Sequence, residues 1–153
     1  MERVRIGNGC GFWGDSLDAP VRLAEHGRLD YLTLEYLAEL TMSILAVQKA
    51  KDPAAGFASD FLDVLARLGP IRKRQPNLKI VTNAGGMNPH GCAAKAKALT
   101  PDTRIGIVSG DDLLPRLDEL LATGHALANL DTGEPLTAIR GKVVSANAYL
   151  GAR

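Results

Sequence analysis

The chain has 153 residues, of which 46% are hydrophobic, a size and composition typical of one globular domain with a sizeable core. Its 18 basic and 17 acidic side chains leave a formal net charge of +1, which argues against a nucleic-acid partner because such a protein needs a basic face. The two cysteines and three histidines lack metal-ligand spacing, so we predict no metal site. Since we find no secretory leader and no apolar run near the ~20 residues of a membrane span, we expect a cytoplasmic protein without a membrane partner.

The first part of the chain alternates strand and helix patterns. We predict a strand at Val4–Gly7, followed by a short helix that Asp18 caps. Asp30–Tyr36 carries β-branched and aromatic residues and predicts a second strand. Apolar residues at helical spacing predict a helix at Glu39–Lys51, and Ser59 caps the next helix.

The alternation continues in the middle of the chain. The short apolar run Leu78–Thr82 predicts a strand buried on both faces. A glycine-rich loop and a helix from about Pro89 to Leu99 follow it. Arg104–Val108 predicts a further strand.

The last part predicts one helix and one strand. Asp111 or Asp112 caps the helix, which ends near Ala122, and Lys142–Ala146 is the last strand candidate. Alternating strands and helices predict right-handed βαβ crossovers and a parallel sheet, so we assign a Rossmann-like α/β fold to a single domain over residues 1–153. Because no helix pattern follows the last strand, we expect this domain to be an incomplete part of a larger one.

The first glycine-rich loop follows the first strand. Gly9, Gly11 and Gly14 fit the G-x-G-x-x-G spacing of a dinucleotide-binding loop, and Glu35 lies where a ribose-binding acid would follow. In that motif, however, the helix begins within the glycine run. Here the helix pattern begins only at Asp18, so the match to a dinucleotide site is poor.

The glycines of the first loop could have either of two further roles. They could simply permit a tight turn, or they could let the backbone approach a ligand closely. If a ligand does approach, we predict contacts from Asn8, Gly9 and Gly11, with Asp15 as a candidate catalytic carboxylate. Cys10 has no identifiable base partner, so we interpret it as an inert small residue.

The second glycine-rich loop, N-A-G-G-M-N-P, runs from Asn83 to Pro89. Gly85 and Gly86 free the backbone, and Asn88 is a typical cap for a helix with proline in its first turn. Free N–H groups at a helix N-terminus bind phosphate or carboxylate groups, although an ordinary turn would use the same residues. We therefore predict ligand contacts from Asn83, Gly85, Gly86 and Asn88.

Glu35 is the candidate general base. It is expected near the carboxyl end of the second strand, as Asn83 is for the next one, and parallel sheets bind ligands beyond these strand ends. A Glu35 buried beside a ligand could carry a proton to or from it. The alternative is a solvated or helix-capping carboxylate.

Five blocks of the sequence, in order, resemble a known family. They are G-N-G-C-G-F-W-G-D (Gly7–Asp15), L-D-Y-L-T-L-E-Y-L-A-E-L-T-M-S-I-L-A (Leu29–Ala46), K-D-P-A-A-G-F-A-S-D-F (Lys51–Phe61), V-T-N-A-G-G-M-N-P (Val81–Pro89) and V-S-A-N-A-Y-L-G-A (Val144–Ala152). Together they are similar to the N-terminal region of the acyclic terpene utilisation proteins of the AtuA type. The resemblance spans nearly the whole chain, assigns no catalytic residue and names no cofactor.

The resemblance implies a ligand-binding or catalytic domain that acts on a carboxylate or acyl-CoA intermediate of acyclic terpene or related catabolism. It also implies that relatives continue past the last block, so the chain would be a truncated N-terminal part. Two alternatives stay open: a non-catalytic binding or assembly domain, and an NAD(P)-dependent oxidoreductase. We expect a small-molecule ligand and a homo-oligomer.

Overall fold

The computed structural model describes residues 3–149. These residues divide into two compact units, one that ends at Ile107 and one that begins at Val108. The elements of the first unit are β1 (Ile6–Cys10), α1 (Ala19–Gly27), β2 (Tyr31–Leu34), α2 (Glu39–Lys51), α3 (Asp60–Arg74), β3 (Lys79–Thr82) and α4 (Pro89–Leu99). The second unit contains α5 (Leu117–Ala122) and three short 3-10 helices, at Leu114–Arg116, Leu136–Ala138 and Arg140–Lys142. The single domain over residues 1–153 stays a prediction.

The first unit is built on a three-stranded parallel sheet in the order β1-β2-β3. The register aligns Gly7 with Leu32, and Leu32 with Ile80. Helices connect both pairs of neighbouring strands, which confirms the predicted α/β class with βαβ crossovers. The register of β1 against β2 shifts between Asn8 and Cys10, as in a bulge that bends the strand where its loop begins.

One face of this sheet carries the main hydrophobic core. Leu32 and Leu34 point to it from β2 and are at most 2% exposed. They share a cluster with Ala24 of α1, Leu68 of α3 and Ala96 of α4. Removing this apolar surface from water stabilises the unit by roughly 25 cal/mol per Å².

The opposite face of the sheet carries the alternate residues of each strand. Ile6 and Val81 lie on it and are 66% and 53% exposed. Between them, the Lys79 ammonium lies 4.8 Å from the centre of the Tyr31 ring. The helices that share the main core all pack on the Leu32 side.

The second helix, α2, packs outside the main core. Met42, Leu45 and Ala46 are buried in a separate small cluster with Met87. Since Met87 belongs to the loop between β3 and α4, this cluster fixes α2 against the loop at the carboxyl end of β3.

The predicted start of each helix is close to the observed one, but the caps differ. Asp18 precedes α1 without capping it, and its carboxylate instead pairs with the Arg67 guanidinium at 2.6 Å. Ser59 likewise precedes α3 without a side-chain cap. Asn88 does cap α4, and the Asp112 carboxylate accepts from the Leu114 amide at 3.1 Å.

Two strand predictions are wrong, and a third is shifted. The expected burial of β3 on both faces is also wrong, since Val81 is 53% exposed. Residues 104–108 form no strand, and Val108 is 98% exposed. The 142–146 segment forms no strand either; nearby, one isolated antiparallel bridge joins Asp112 to Asn147. Apolar β-branched residues fit a strand only when a neighbouring strand supplies the hydrogen bonds. For the same reason β1 begins at Ile6, the first residue that pairs with β2, and not at Val4.

Across residues 3–149, no helix has the combined length and apolar character that crossing a membrane requires.

Candidate ligand site at the carboxyl ends of the strands

Glu35 and Asn83 meet where β2 and β3 end. The Asn83 side-chain nitrogen donates a hydrogen bond to Glu35 Oε1 at 2.6 Å, and the Leu37 amide donates to the same oxygen at 2.7 Å. The Asn83 side-chain oxygen accepts from the Tyr36 amide at 2.9 Å. One carboxylate oxygen of Glu35 is therefore held by two donors. The other, Oε2, makes no hydrogen bond within the described residues.

Glu35 is exposed to solvent. The neighbouring residues therefore do not bury the Glu35 carboxylate, although a general base works best when it is shielded from water. A ligand that covered the side chain would have to provide this shielding. Its position and its fixed orientation, in contrast, are already established by Asn83 and by the turn into α2.

Asp15 closes its own loop. Its carboxylate accepts from the Gly11 amide at 3.0 Å and from the Ser16 amide at 2.7 Å. These two backbone donors lower the pKa of Asp15, because they stabilise the charged form. Asp15 is thus arranged as an ionised hydrogen-bond acceptor, and it is poorly suited to donate a proton near neutral pH.

Cys10 joins the first loop to Glu35. Its buried thiol donates to the backbone oxygen of Glu35 at 3.1 Å, and the Glu35 amide donates to the Cys10 oxygen at 3.0 Å. Burial raises the pKa of the Cys10 thiol, and the Asp15 and Glu35 carboxylates raise it further. Because the thiolate is the nucleophilic form, the geometry agrees with a structural cysteine. Asp15 binds the Gly11 amide directly after β1, and Glu35 directly follows β2, so both lie at the carboxyl ends of neighbouring strands.

The other residues of the first loop that were predicted to contact a ligand pack against, or hydrogen-bond to, nearby parts of the protein. A Cβ on Gly9 would lie 2.7 Å from the Pro20 Cβ, so Gly9 lets β1 pack closely against the start of α1. The amide of Gly11 is engaged by Asp15. Asn8 lies on the exposed face of the sheet, where its amide nitrogen can donate to Thr33 Oγ1 and to the Cys10 oxygen. The structure shows no hydrogen bond between Glu35 and any of these three residues.

Three successive backbone donors of the second loop are used within the protein. The Gly86 amide donates to the Asn83 oxygen at 3.1 Å, the Met87 amide to the Gly56 oxygen at 2.9 Å, and the Asn88 amide to the Gly85 oxygen at 2.8 Å. These groups are therefore not free to bind an anion. The contacts instead hold the loop in the shape that places Asn83 beside Glu35.

The glycines of the second loop are explained by packing. A Cβ on Gly85 would lie 2.8 Å from the Pro89 Cα. Gly86 has a φ of +47°, and a Cβ there would collide with the Leu45 side chain of α2. Both positions require glycine whether or not a ligand binds.

Asn88 fastens the second loop to the segment before α3. Its side-chain oxygen caps α4 by accepting from the Gly91 amide at 3.0 Å. Its side-chain nitrogen donates to the backbone oxygens of Pro53 and Ala55, at 3.1 and 2.9 Å. Both the nitrogen and the oxygen of this amide are thus engaged within the protein, and the ligand-contact role of Asn88 stays a prediction.

Two residues near the site were not singled out from the sequence. The Lys49 ammonium donates to the Met87 oxygen at 2.5 Å. Tyr36 is 2% exposed, and its hydroxyl lies beside the Cys10 thiol without an oxygen or nitrogen partner among residues 3–149. Burial raises the pKa of Tyr36. No local sequence pattern distinguishes these residues, because both roles depend on contacts between distant segments.

Side chains able to ligate a metal are dispersed through the described part of the chain. No group of three histidine, cysteine or acidic side chains there is arranged to hold a metal ion. The polar groups that converge at the strand ends are instead one carboxylate and one amide, Glu35 and Asn83.

These features describe a parallel α/β domain with polar side chains at adjoining strand ends, which is where such sheets bind ligands. The family model for "Acyclic terpene utilisation family protein AtuA" matches residues 4–153. The chain belongs to this family, as its five sequence blocks predicted. No curated protein and no solved structure matches the chain.

Proposed function

We propose that this chain is a ligand-binding domain that acts on a carboxylate or acyl-CoA intermediate of acyclic terpene catabolism, with Glu35 as its acid/base group. The observation that carries the proposal is the Glu35–Asn83 pair. Two donors hold Oε1 of Glu35, and Oε2 remains available to a ligand. A carboxylate oriented in this way suits the transfer of a proton to or from a carbon beside a carbonyl group.

An apolar side chain near the site supports a ligand with a hydrocarbon part. Phe12, in the loop after β1, is 61% exposed. Its loop directly follows β1, whose neighbour β2 ends just before Glu35. Asp15 contributes a fixed negative charge at this end of the sheet, and the ligand's polar groups would donate to it.

The test replaces Glu35 with glutamine, which keeps the shape and an oxygen acceptor for Asn83. Binding of an acyclic terpenoid acid and of its CoA thioester is measured by calorimetry, and turnover of the thioester by loss of substrate. We expect turnover of Glu35→Gln to fall by about 10²- to 10⁴-fold, the usual contribution of an acid/base group. The matched control is Glu134→Gln, an exposed glutamate of the second unit. Equal turnover and affinity in Glu35→Gln and the unchanged protein would contradict the proposed role.

A second candidate is a non-catalytic binding or assembly domain. The exposed apolar residues of α2 favour it, since an isolated helix face of this kind suits contact with another protein surface. Under this alternative Glu35→Gln changes neither turnover nor ligand binding, whereas substitutions on α2 change the assembly state.

The dinucleotide alternative has less support from the geometry. α1 begins only at Ala19, and the Gly11 amide, which a pyrophosphate would need, already binds the Asp15 carboxylate. A titration of NAD(H) and NADP(H) followed by Trp13 fluorescence tests it. Saturable quenching would restore this alternative.

A further inference from the structure

Helix α2 is apolar on two opposite sides. Its inner side is buried against the protein. On its outer side, Leu40, Ile44 and Val47 are 72%, 41% and 45% exposed. Their spacing of four and three residues places them on one line along the helix, which we name the α2 stripe. Exposed Lys51 continues the same line one turn further.

The charges at the two ends of α2 indicate what covers the α2 stripe. Glu39 lies in the first turn, and Lys51 lies in the last. A second copy of the same helix, running antiparallel, brings each acidic end beside a basic end and opposes the two helix dipoles. Because such pairing is self-complementary about a two-fold axis, one surface suffices for both partners.

We propose that two copies of this chain pair antiparallel along the α2 stripe. With the axis midway between Leu40 and Val47, Leu40 of each copy faces Val47 of the other, and Ile44 lies next to the axis. Lys51 then lies about 11 Å along the helix from the axis, at a rise of 1.5 Å per residue. The partner's α2 begins at Glu39, about 7 Å from the axis. Lys51 therefore lies beyond the start of the partner's α2, toward the segment that contains Glu35.

The pairing supplies a cation that the Glu35 end of the sheet lacks in its own contacts. The Gly86, Met87 and Asn88 amides have acceptors within the protein, and the Lys49 ammonium donates to the Met87 oxygen. Lys51 of the partner subunit would bind the carboxylate or phosphate group of the ligand, while Glu35 faces its reacting carbon. This role of Lys51 rests on the proposed function; the pairing itself does not.

Light scattering after size exclusion tests the pairing without any ligand. We expect a dimer for the unchanged chain and a monomer for Ile44→Glu, since the substitution puts two carboxylates next to the axis. Ile44 is 41% exposed, so the fold should survive, which circular dichroism checks. Val144→Glu, at a side chain that is 55% exposed in the second unit, is the matched control and should remain dimeric. A monomeric unchanged chain, or a dimeric Ile44→Glu, overturns the pairing.

Cross-linking provides a second measurement that does not disturb the stripe. Ser43 is exposed and lies next to the axis, so Ser43→Cys should be joined to its copy by a short bis-maleimide. The native thiols, Cys10 and Cys92, are 5% and 4% exposed and should not react. Lys73→Cys, exposed on α3, is the control that should stay unlinked. Linking of both variants to the same extent would contradict the geometry.

Complementation between two variants tests the contribution of Lys51. In a dimer of Glu35→Gln, both sites lack the carboxylate. In a dimer of Lys51→Gln, both sites lack the ammonium group. When the two variants are mixed, one site of each mixed dimer holds Glu35 from one copy and Lys51 from the other. We expect turnover of the CoA thioester to rise above that of either variant alone. If the dimer forms and mixing restores nothing, the Lys51 role is wrong; if Glu35→Gln alone retains full turnover, the proposed function fails while the dimer stands.

Discussion

The two glycine-rich loops look similar in sequence and are held in different ways. The first loop is closed by its own side chain, because Asp15 accepts from Gly11 and Ser16. The second loop is fixed by other segments: Asn88 binds backbone oxygens at residues 53 and 55, and the Met87 amide binds the Gly56 oxygen. One loop therefore depends on a local carboxylate, and the other depends on tertiary packing.

This difference changes which residues matter for function. Because the second loop is a rigid support, its glycines and amides serve to place Asn83, and through it Glu35. The hydrogen bonds that hold the first loop are local: Asp15 accepts from Gly11 and Ser16, and the Phe12 oxygen accepts from the Asp15 amide and the Cys10 thiol. We therefore expect this loop to rearrange around a ligand at a lower energetic cost. The difference thus favours Glu35 as the centre of the site, with a fixed side at Asn83 and an adaptable side at Asp15.

Substitution of one glycine in each loop should give the largest contrast. Gly86→Ala adds a Cβ at a φ of +47°, where it would collide with the Leu45 side chain. Left-handed backbone costs a non-glycine residue about 1–2 kcal/mol, and overpacking costs about 1–3 kcal/mol more, so we expect a loss near 3 kcal/mol in the free energy of unfolding.

Gly14→Ala is the matched variant in the first loop. Gly14 has a φ of +98°, but a Cβ there meets nothing within 4 Å. Only the backbone strain applies, so we expect a smaller loss of about 1–2 kcal/mol. Urea unfolding of both variants measures the difference. Equal losses would mean that the second loop yields as easily as the first, and the contrast between a fixed and an adaptable loop would fail.

Sequence patterns predicted the elements of the first unit well because packing there agrees with local periodicity. Helix α2 was predicted with its observed bounds, and α1, α4 and β3 nearly so. In the second unit only Leu117 is buried among the described hydrophobic residues. Where so few contacts form, the β-branched residues near Val144 and Ile107 have no partner strand, and a strand pattern alone predicts wrongly.

The candidate site shows the same limit of local patterns. The meeting of Glu35 and Asn83 was predictable, since parallel strands bring their carboxyl ends to one edge. The engagement of the Met87 amide was not, because its acceptor, the Gly56 oxygen, lies far away in the sequence. The exposed outer side of α2 was not predictable either. Periodicity predicts that a helix has an apolar face, but it does not tell which of two apolar faces packs against the protein.

Removal of the Asn88 side chain should give an intermediate effect. Asn88→Ala removes the cap of α4 and two hydrogen bonds to the segment before α3. We expect a loss of about 2 kcal/mol in the free energy of unfolding, from a cap and partly buried hydrogen bonds together. Asn88→Asp keeps the acceptor for Gly91 but cannot donate, so it separates the two contributions. A stability of Asn88→Ala equal to the unchanged protein would show that the second loop does not depend on this clamp.

Acidification should produce the smallest effect and, of the two loops, should act on the first. Backbone donors lower the pKa of Asp15 in the folded chain, so its charged form stabilises the loop above the unfolded pKa of about 3.9. This stabilisation is lost as the pH falls below that value and through the lower folded pKa. Hydrogen exchange of the Gly11 amide, corrected for its intrinsic pH dependence, should therefore lose protection in acid.

The Gly86 amide is the internal control, because its acceptor is the backbone oxygen of Asn83, which does not titrate. Its protection should persist at pH values where that of Gly11 has been lost. Asp15→Asn should weaken protection of Gly11 wherever Asp15 is ionised and abolish its acid dependence, since an amide oxygen accepts less strongly than a carboxylate. Parallel acid dependence at Gly11 and Gly86 would mean that the two loops open together. The adaptable side of the site would then not be separable from its fixed side.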